Sequence, residues 1–307
     1  MKIDRTLFEN FGCVLEGHGD DPMNMERHDI RDALAKYGAI LFKGFNVDLV
    51  KFKEFTDRCC TQFMTHMGVA VRGRFSQFSD DTTITEVTVG ENDLALHGEM
   101  YHGPDAPEVI WFFCEYPALI GGETTLADAH RLYNELPLKV REIFDTKKLK
   151  YRHCDPPQVW QPRYGTHSIK EAVNILKQSD GVENLNCDEK DNIIYDYITS
   201  AVRTSKYDGK KVFLNNLFIT RNPANSLKQE MLPNQVPKRR VVEVEFEDDT
   251  PLTDELLLEV FNAGTRITQD IIWQPKDFVM VDNTRLLHGR RAFKGKRVIA
   301  TRIVASV

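Results

Sequence analysis

Leu96-His97-Gly98-Glu99 and Asp282-Asn283-Thr284-Arg285-Leu286-Leu287-His288-Gly289-Arg290 stand far apart in a chain of 307 residues. Together they offer two imidazoles and one carboxylate, a donor set that holds Fe(II) on one face and leaves the opposite face open. His97 and Glu99 alternate about Gly98. On an extended strand both side chains would leave the same face, about 7 Å apart along the backbone. His288 must then come from a neighbouring strand, so a fold that makes distant strands adjacent is required.

The surrounding sequence supplies such strands. Residues 29–37 read as a short helix stopped by Gly38, 39–42 as a buried strand and 47–63 as an amphipathic helix. From Leu94 onward the pattern turns to short strands. Residues 108–115 are rich in β-branched and aromatic types, and Gly121-Gly122 turns the chain into 123–126. Helices are expected over 127–135, 137–145 and 253–263, and strands over 198–203, 210–214, 265–272, 278–281 and 297–304. The pattern predicts an α+β fold, a double-stranded β-helix (jelly-roll) core with flanking helices, and not a parallel doubly wound sheet. With no repeat or linker, residues 1–307 read as one continuous domain. The proline-rich stretch 155–237 is expected to be an insertion or lid within it.

Composition narrows the function. The chain is 41% hydrophobic and 28% charged, with a formal net charge of −6. It lacks the basic field that a nucleic-acid backbone requires, and no apolar run is long enough to span a bilayer. A small-molecule partner is expected, with no nucleic acid and no membrane, and a cytoplasmic location. The six cysteines are scattered without a CxxC spacing and are expected to be reduced. His97 to His102 does not fit a zinc protease, which needs Glu directly after its first His. A zinc deaminase needs Pro-Cys-x-x-Cys after His-x-Glu, and none follows. Neither common glycine-rich phosphate loop occurs.

Four ordered blocks resemble the taurine dioxygenase superfamily of Fe(II)/2-oxoglutarate oxygenases, and its clavaminate synthase-like branch in particular, where the ligand carboxylate is Glu. Residues 39–45 are similar to the family's early strand and His97-Gly98-Glu99-Met100 to its first metal motif. Ile110-Trp111-Phe112-Phe113-Cys114 followed by Gly121-Gly122-Glu123-Thr124 resembles the strand and turn behind it. Asp277-Phe278-Val279-Met280-Val281-Asp282-Asn283 leading to His288-Gly289-Arg290 resembles the second metal motif. The resemblance implies His97, Glu99 and His288 as iron ligands, with 2-oxoglutarate and O2 as cosubstrates. It also implies that Thr124 and an Arg beyond the distal His bind the far carboxylate of 2-oxoglutarate. Arg302, fourteen residues after His288, occupies the branch's usual place, and Arg290, Arg291 and Arg297 compete for the role. The implied reaction is oxidation of an unactivated C–H bond with release of succinate and CO2. In related halogenases Gly or Ala replaces the carboxylate ligand, so Glu99 points to hydroxylation or another two-electron oxidation.

The middle of the chain bears on substrate. Residues 160–166 and 212–216 resemble segments of amino-acid hydroxylases from nonribosomal peptide pathways, which implies an amino-acid-like substrate, free or tethered to a carrier protein. Relatives in that group include desaturases and isonitrile-pathway oxygenases. A non-catalytic metal-binding jelly-roll accessory protein is the alternative from another class. Tyr101 and His102, close behind the metal motif, are candidate pocket residues. Arg72, Arg74, Arg163 and Arg221 are candidate partners for a substrate anion. His153 is expected to be structural.

Overall fold

The structure is a computed structural model that describes residues 3–64, 81–87, 90–221 and 241–306. Its main sheet runs in the order Arg5–Thr6, Cys13–Glu16, Ala39–Lys43, Phe278–Asp282, Val109–Tyr116, Val298–Val304 and Phe63–Met64, with Thr85–Glu86 also paired to Val298–Val304. Only Cys13–Glu16 beside Ala39–Lys43 is a parallel pair; the others are antiparallel.

Alternation along these strands separates two apolar layers, because successive side chains leave opposite faces. Phe42, Trp111, Phe113, Phe278 and Ala300 face the helices Arg27–Tyr37 and Leu49–Cys59, meeting Phe52 and Phe55. The Phe42 and Phe278 rings stack 4.4 Å apart at 6°. Phe112, Val279, Val281, Ile299 and Ile303 point the other way, toward Leu126 and Leu286. Those last two belong to the facing sheet, ordered Gln269–Ile271, Thr124–Asp128, Leu286–Arg290 and Leu94–His97. The two facing sheets form the jelly-roll core expected from the strand pattern.

Helix ends follow local chemistry. Gly38 adopts φ 76° and donates its N–H to Leu34 O at 2.7 Å, closing Arg27–Tyr37 with a left-handed cap. The long helix differs from expectation. It spans Asp254–Ile267, and the following strand is confined to Gln269–Ile271. Buried Leu257, Val260, Ala263, Gly264 and Ile267 recur at helical spacing, so burial carries the helix through the β-branched residues at its end.

A third sheet lies between the two metal motifs in sequence, in the order Val182–Cys187, Ile193–Ser200, Lys148–Asp155 and Val241–Phe246. In sequence, its strands Lys148–Asp155 and Val241–Phe246 flank the stretch 155–237. Leu149, Tyr151, Val244 and Phe246 from this sheet share a core with Leu132, Phe144 and Val260 from the adjoining helices.

Candidate metal centre

Leu286–Arg290 pairs with Leu94–His97 so that His288 and His97 are register partners. Their ring centroids are 4.2 Å apart. One donor atom from each of His97, Glu99 and His288 lies within 4.8 Å of the other two. Glu99 Oε2 stands 3.5 Å from His288 Nε2 and 3.9 Å from His97 Nε2. His97 Nδ1 lies 2.9 Å from Ala95 O. A carbonyl can only accept, so Nδ1 carries the proton and Nε2 keeps a lone pair directed at the cluster.

The carboxylate is placed by a turn and not by an extended strand, as the alternation about Gly98 had indicated. The strand stops at His97, and Met100 takes φ 64°. Asn283, fully buried, fixes Glu99 through its backbone. Its Oδ1 accepts from Glu99 N at 2.8 Å, while Nδ2 donates to Glu99 O at 3.2 Å and Pro107 O at 2.7 Å. Asn283 lies in the second motif, yet periodicity gives a loop asparagine no partner, so this role is visible only in three dimensions.

Phe112, Thr124, Arg290, Arg297 and Thr301 border the same cavity. Arg297 Nε donates to Gly122 O at 2.9 Å and Nη2 to Thr124 Oγ1 at 3.4 Å. Among the described residues it has no carboxylate at ion-pair distance. Burial and the neighbouring Arg290 guanidinium push its pKa down to about 10, outweighing the more distant Glu123 and Glu86 carboxylates. Trp273 Nε1 also donates to Thr124 Oγ1, at 3.0 Å. With both contacts made to its oxygen, the Thr124 hydroxyl proton is left for an acceptor in the cavity. Trp273 carries no motif signal in the sequence.

Arg302 is not brought to this cavity. It pairs across the sheet with Trp111 and therefore shares that residue's helix-facing side, whereas Thr301 pairs with Phe112 and faces inward. Arg302 Nη1 donates to Lys53 O at 3.2 Å, Thr56 Oγ1 at 2.5 Å and Asp57 Oδ1 at 2.7 Å; Nη2 donates to Thr83 Oγ1 at 3.0 Å. The spacing from His288 selects Arg302, but strand parity turns it away and leaves Arg297 facing Thr124.

The substrate candidates also lie elsewhere. Tyr101 packs beneath Gly98, where an added Cβ would fall 2.4 Å from its ring, and Arg203 covers it at 4.8 Å. Arg163 is buried and binds Asp105 at 2.8 Å and Asp155 at 3.5 Å, so its charge is already met. Exposed Arg221 donates to Leu252 O at 3.3 Å. His102 bonds Asn216, and His153 is fully buried against Tyr195. None of these borders the cavity at the triad. Arg72 and Arg74 lie outside the described residues.

The family model for "Taurine catabolism dioxygenase TauD, TfdA family" matches residues 4–304. The chain belongs to the TauD/TfdA family. Within curated proteins, this TauD/TfdA chain is 24% identical over 293 residues to the dapdiamide synthesis protein DdaC of Enterobacter agglomerans, covering 91% of the chain and 86% of DdaC. Its fold is similar to that of a putative alpha-ketoglutarate-dependent taurine dioxygenase from Burkholderia xenovorans, with TM-score 0.62, 14% identity and coverage of 99% and 92%. It is also similar to PvcB, an Fe, alpha-ketoglutarate dependent oxygenase from an isonitrile synthetic pathway, with TM-score 0.56, 13% identity and coverage of 98% and 90%. No helix among the described residues is long and apolar enough to cross a membrane.

Proposed function

We propose that this chain is an Fe(II)- and 2-oxoglutarate-dependent oxygenase in which His97, Glu99 and His288 hold the iron. The observation that carries the reading is one cavity lined both by a two-histidine, one-carboxylate cluster and by a buried guanidinium that has no carboxylate at ion-pair distance among the described residues. The donor set fits Fe(II), and His97 is held in the tautomer a ligand needs. Arg297 and Thr124 supply a planar guanidinium and a hydroxyl donor for the far carboxylate of 2-oxoglutarate, and Arg290 adds a second positive charge. When bound, iron with 2-oxoglutarate and O2 supplies the oxidising power for an unactivated C–H bond, giving succinate and CO2. The chain's own groups orient the cosubstrate, and Phe112, whose ring lies 5.5 Å from that of His288, forms an apolar wall beside the cluster.

The substrate is proposed to be small and amino-acid-like, free or carrier-tethered, with hydroxylation as the outcome. Supporting this are the resemblance of residues 160–166 and 212–216 to amino-acid hydroxylase segments and the similarity to a dapdiamide synthesis protein. The excursion over 155–237 is proposed to cap the site. The test is succinate formation with Fe(II), 2-oxoglutarate and O2 across an amino-acid panel. An amino acid should accelerate succinate release in wild type and leave His97→Ala and Glu99→Ala at background. Full activity in Glu99→Ala would remove the ligand assignment.

A further inference from the structure

We infer that Asn216 and His102 are positioning residues that hold the turn carrying Glu99, with His153 locking His102 from the third sheet. The inference rests on the reading of His97, Glu99 and His288 as metal ligands and adds residues that touch neither metal nor cosubstrate. Glu99 opens a turn in which Met100 takes a left-handed backbone, unfavourable for a residue with a Cβ. Such a turn keeps its shape only where its surroundings determine it.

Asn283 holds the turn at the Glu99 backbone, and the third-sheet excursion holds both of its flanks. Asn216, buried at the start of the helix Leu217–Thr220, has its amide set by its neighbours. Its Nδ2 donates to Gly98 O at 2.7 Å and Asn215 O at 3.1 Å, and its Oδ1 accepts from His102 Nδ1 at 2.8 Å. The Asn216 backbone N–H donates to Tyr151 OH at 3.1 Å, fixing the residue to the strand Lys148–Asp155. Beyond the turn, His153 Nε2 donates to His102 O at 2.6 Å, and its ring stacks on Tyr195 at 4.4 Å and 2°.

One amide therefore grips the peptide between the two ligands of the first motif while taking its own orientation from His102. Releasing it frees Glu99 to swing relative to His97 and His288. Metal affinity is sensitive to such movement, since a ligand set must be held to within about 0.5 Å.

The test titrates metal-free protein with Mn(II) alone, reading free Mn(II) by electron paramagnetic resonance beside thermal melting of the same metal-free samples. Wild type should bind one Mn(II), and Glu99→Ala should lose it. His102→Phe keeps the ring volume and removes the donor to Asn216; its dissociation constant should rise about 10-fold or more. His102→Asn restores a donor at the Nδ1 position and should recover most of that loss. Asn216→Ala should match His102→Phe. Matched melting temperatures exclude a general packing effect, and if His102→Phe melts early, the Asn216→Ala and His102→Asn pair carries the comparison. Wild-type affinity in both His102→Phe and Asn216→Ala would overturn the inference, as would His102→Asn binding no better than His102→Phe. Failure of the metal reading looks different: wild type would bind no Mn(II), or Glu99→Ala would bind it equally well.

Discussion

Exchanging the two candidate arginines separates strand parity from motif spacing. Arg297 is buried without a carboxylate partner among the described residues, and its pKa falls from an ordinary 12.5 to about 10. That fall corresponds to about 3 kcal/mol of unfavourable charge burial. A bound carboxylate would recover much of this. Removing one member of a buried, hydrogen-bonded charge pair costs about 2–5 kcal/mol. A loss of about 3 kcal/mol in Arg297→Met is therefore expected, or about 100-fold in the dissociation constant of 2-oxoglutarate. Arg302→Met should behave oppositely. It removes the contacts with Lys53, Thr56, Asp57 and Thr83, which should lower stability by about 2 kcal/mol, and it should leave 2-oxoglutarate affinity within about threefold of wild type. Anaerobic calorimetric titration of Mn(II)-loaded protein with 2-oxoglutarate gives the affinities, and urea unfolding gives the stabilities. Loss of affinity in Arg302→Met with affinity kept in Arg297→Met would refute the assignment of Arg297.

Three other substitutions probe neighbouring features. Trp273→Phe removes the N–H held on Thr124 and should weaken 2-oxoglutarate binding about 5-fold in the same calorimetry, with Mn(II) affinity unchanged. Asp282 is pushed up to about 6 by burial, from an ordinary 3.8. A raised carboxylate pKa means that the folded state favours the protonated form. Its stabilising contribution is full below about 4 and is lost as pH rises through 6. Asp282→Asn should thus gain on wild type by up to about 3 kcal/mol between pH 4 and 7, measured by urea unfolding at both values; an equal difference at both would contradict the burial argument. In Gly289→Ala the new Cβ would lie 2.5 Å from Leu94 O and 2.7 Å from Thr125 Oγ1, forcing apart the strands that bring His288 beside His97. A loss of about 1–3 kcal/mol in stability and weaker Mn(II) binding are expected; an unchanged melting temperature would show that the strands yield freely.

The donor set was readable from sequence because imidazole and carboxylate chemistry is carried by residue type, and two short motifs hold all of it. The short apolar runs at 278–281 and 108–115, the latter rich in β-branched and aromatic residues, likewise indicate strands of the sheet. What sequence spacing could not settle was direction. Arg297 and Arg302 stand five positions apart and so reach opposite faces of the sheet, and which face meets the cavity is set by pairing with Val109–Tyr116, which no motif records. The turn at Met100 breaks the alternation that would put His97 and Glu99 on one strand. Arg163 reads from sequence as a candidate partner for a substrate anion, but Asp105 lies 58 residues away in sequence and meets it only in the fold. Trp273 and Asn216 act through single hydrogen bonds between distant segments, a kind of information that periodicity does not contain.

The most direct test of the account is an anaerobic titration of Fe(II)-loaded protein with 2-oxoglutarate, following the weak visible charge-transfer band of the chelate. Wild type should develop a saturable band that requires much more 2-oxoglutarate in Arg297→Met and is absent in Glu99→Ala. Wild-type protein that binds Fe(II) yet develops no band at saturating 2-oxoglutarate would contradict it.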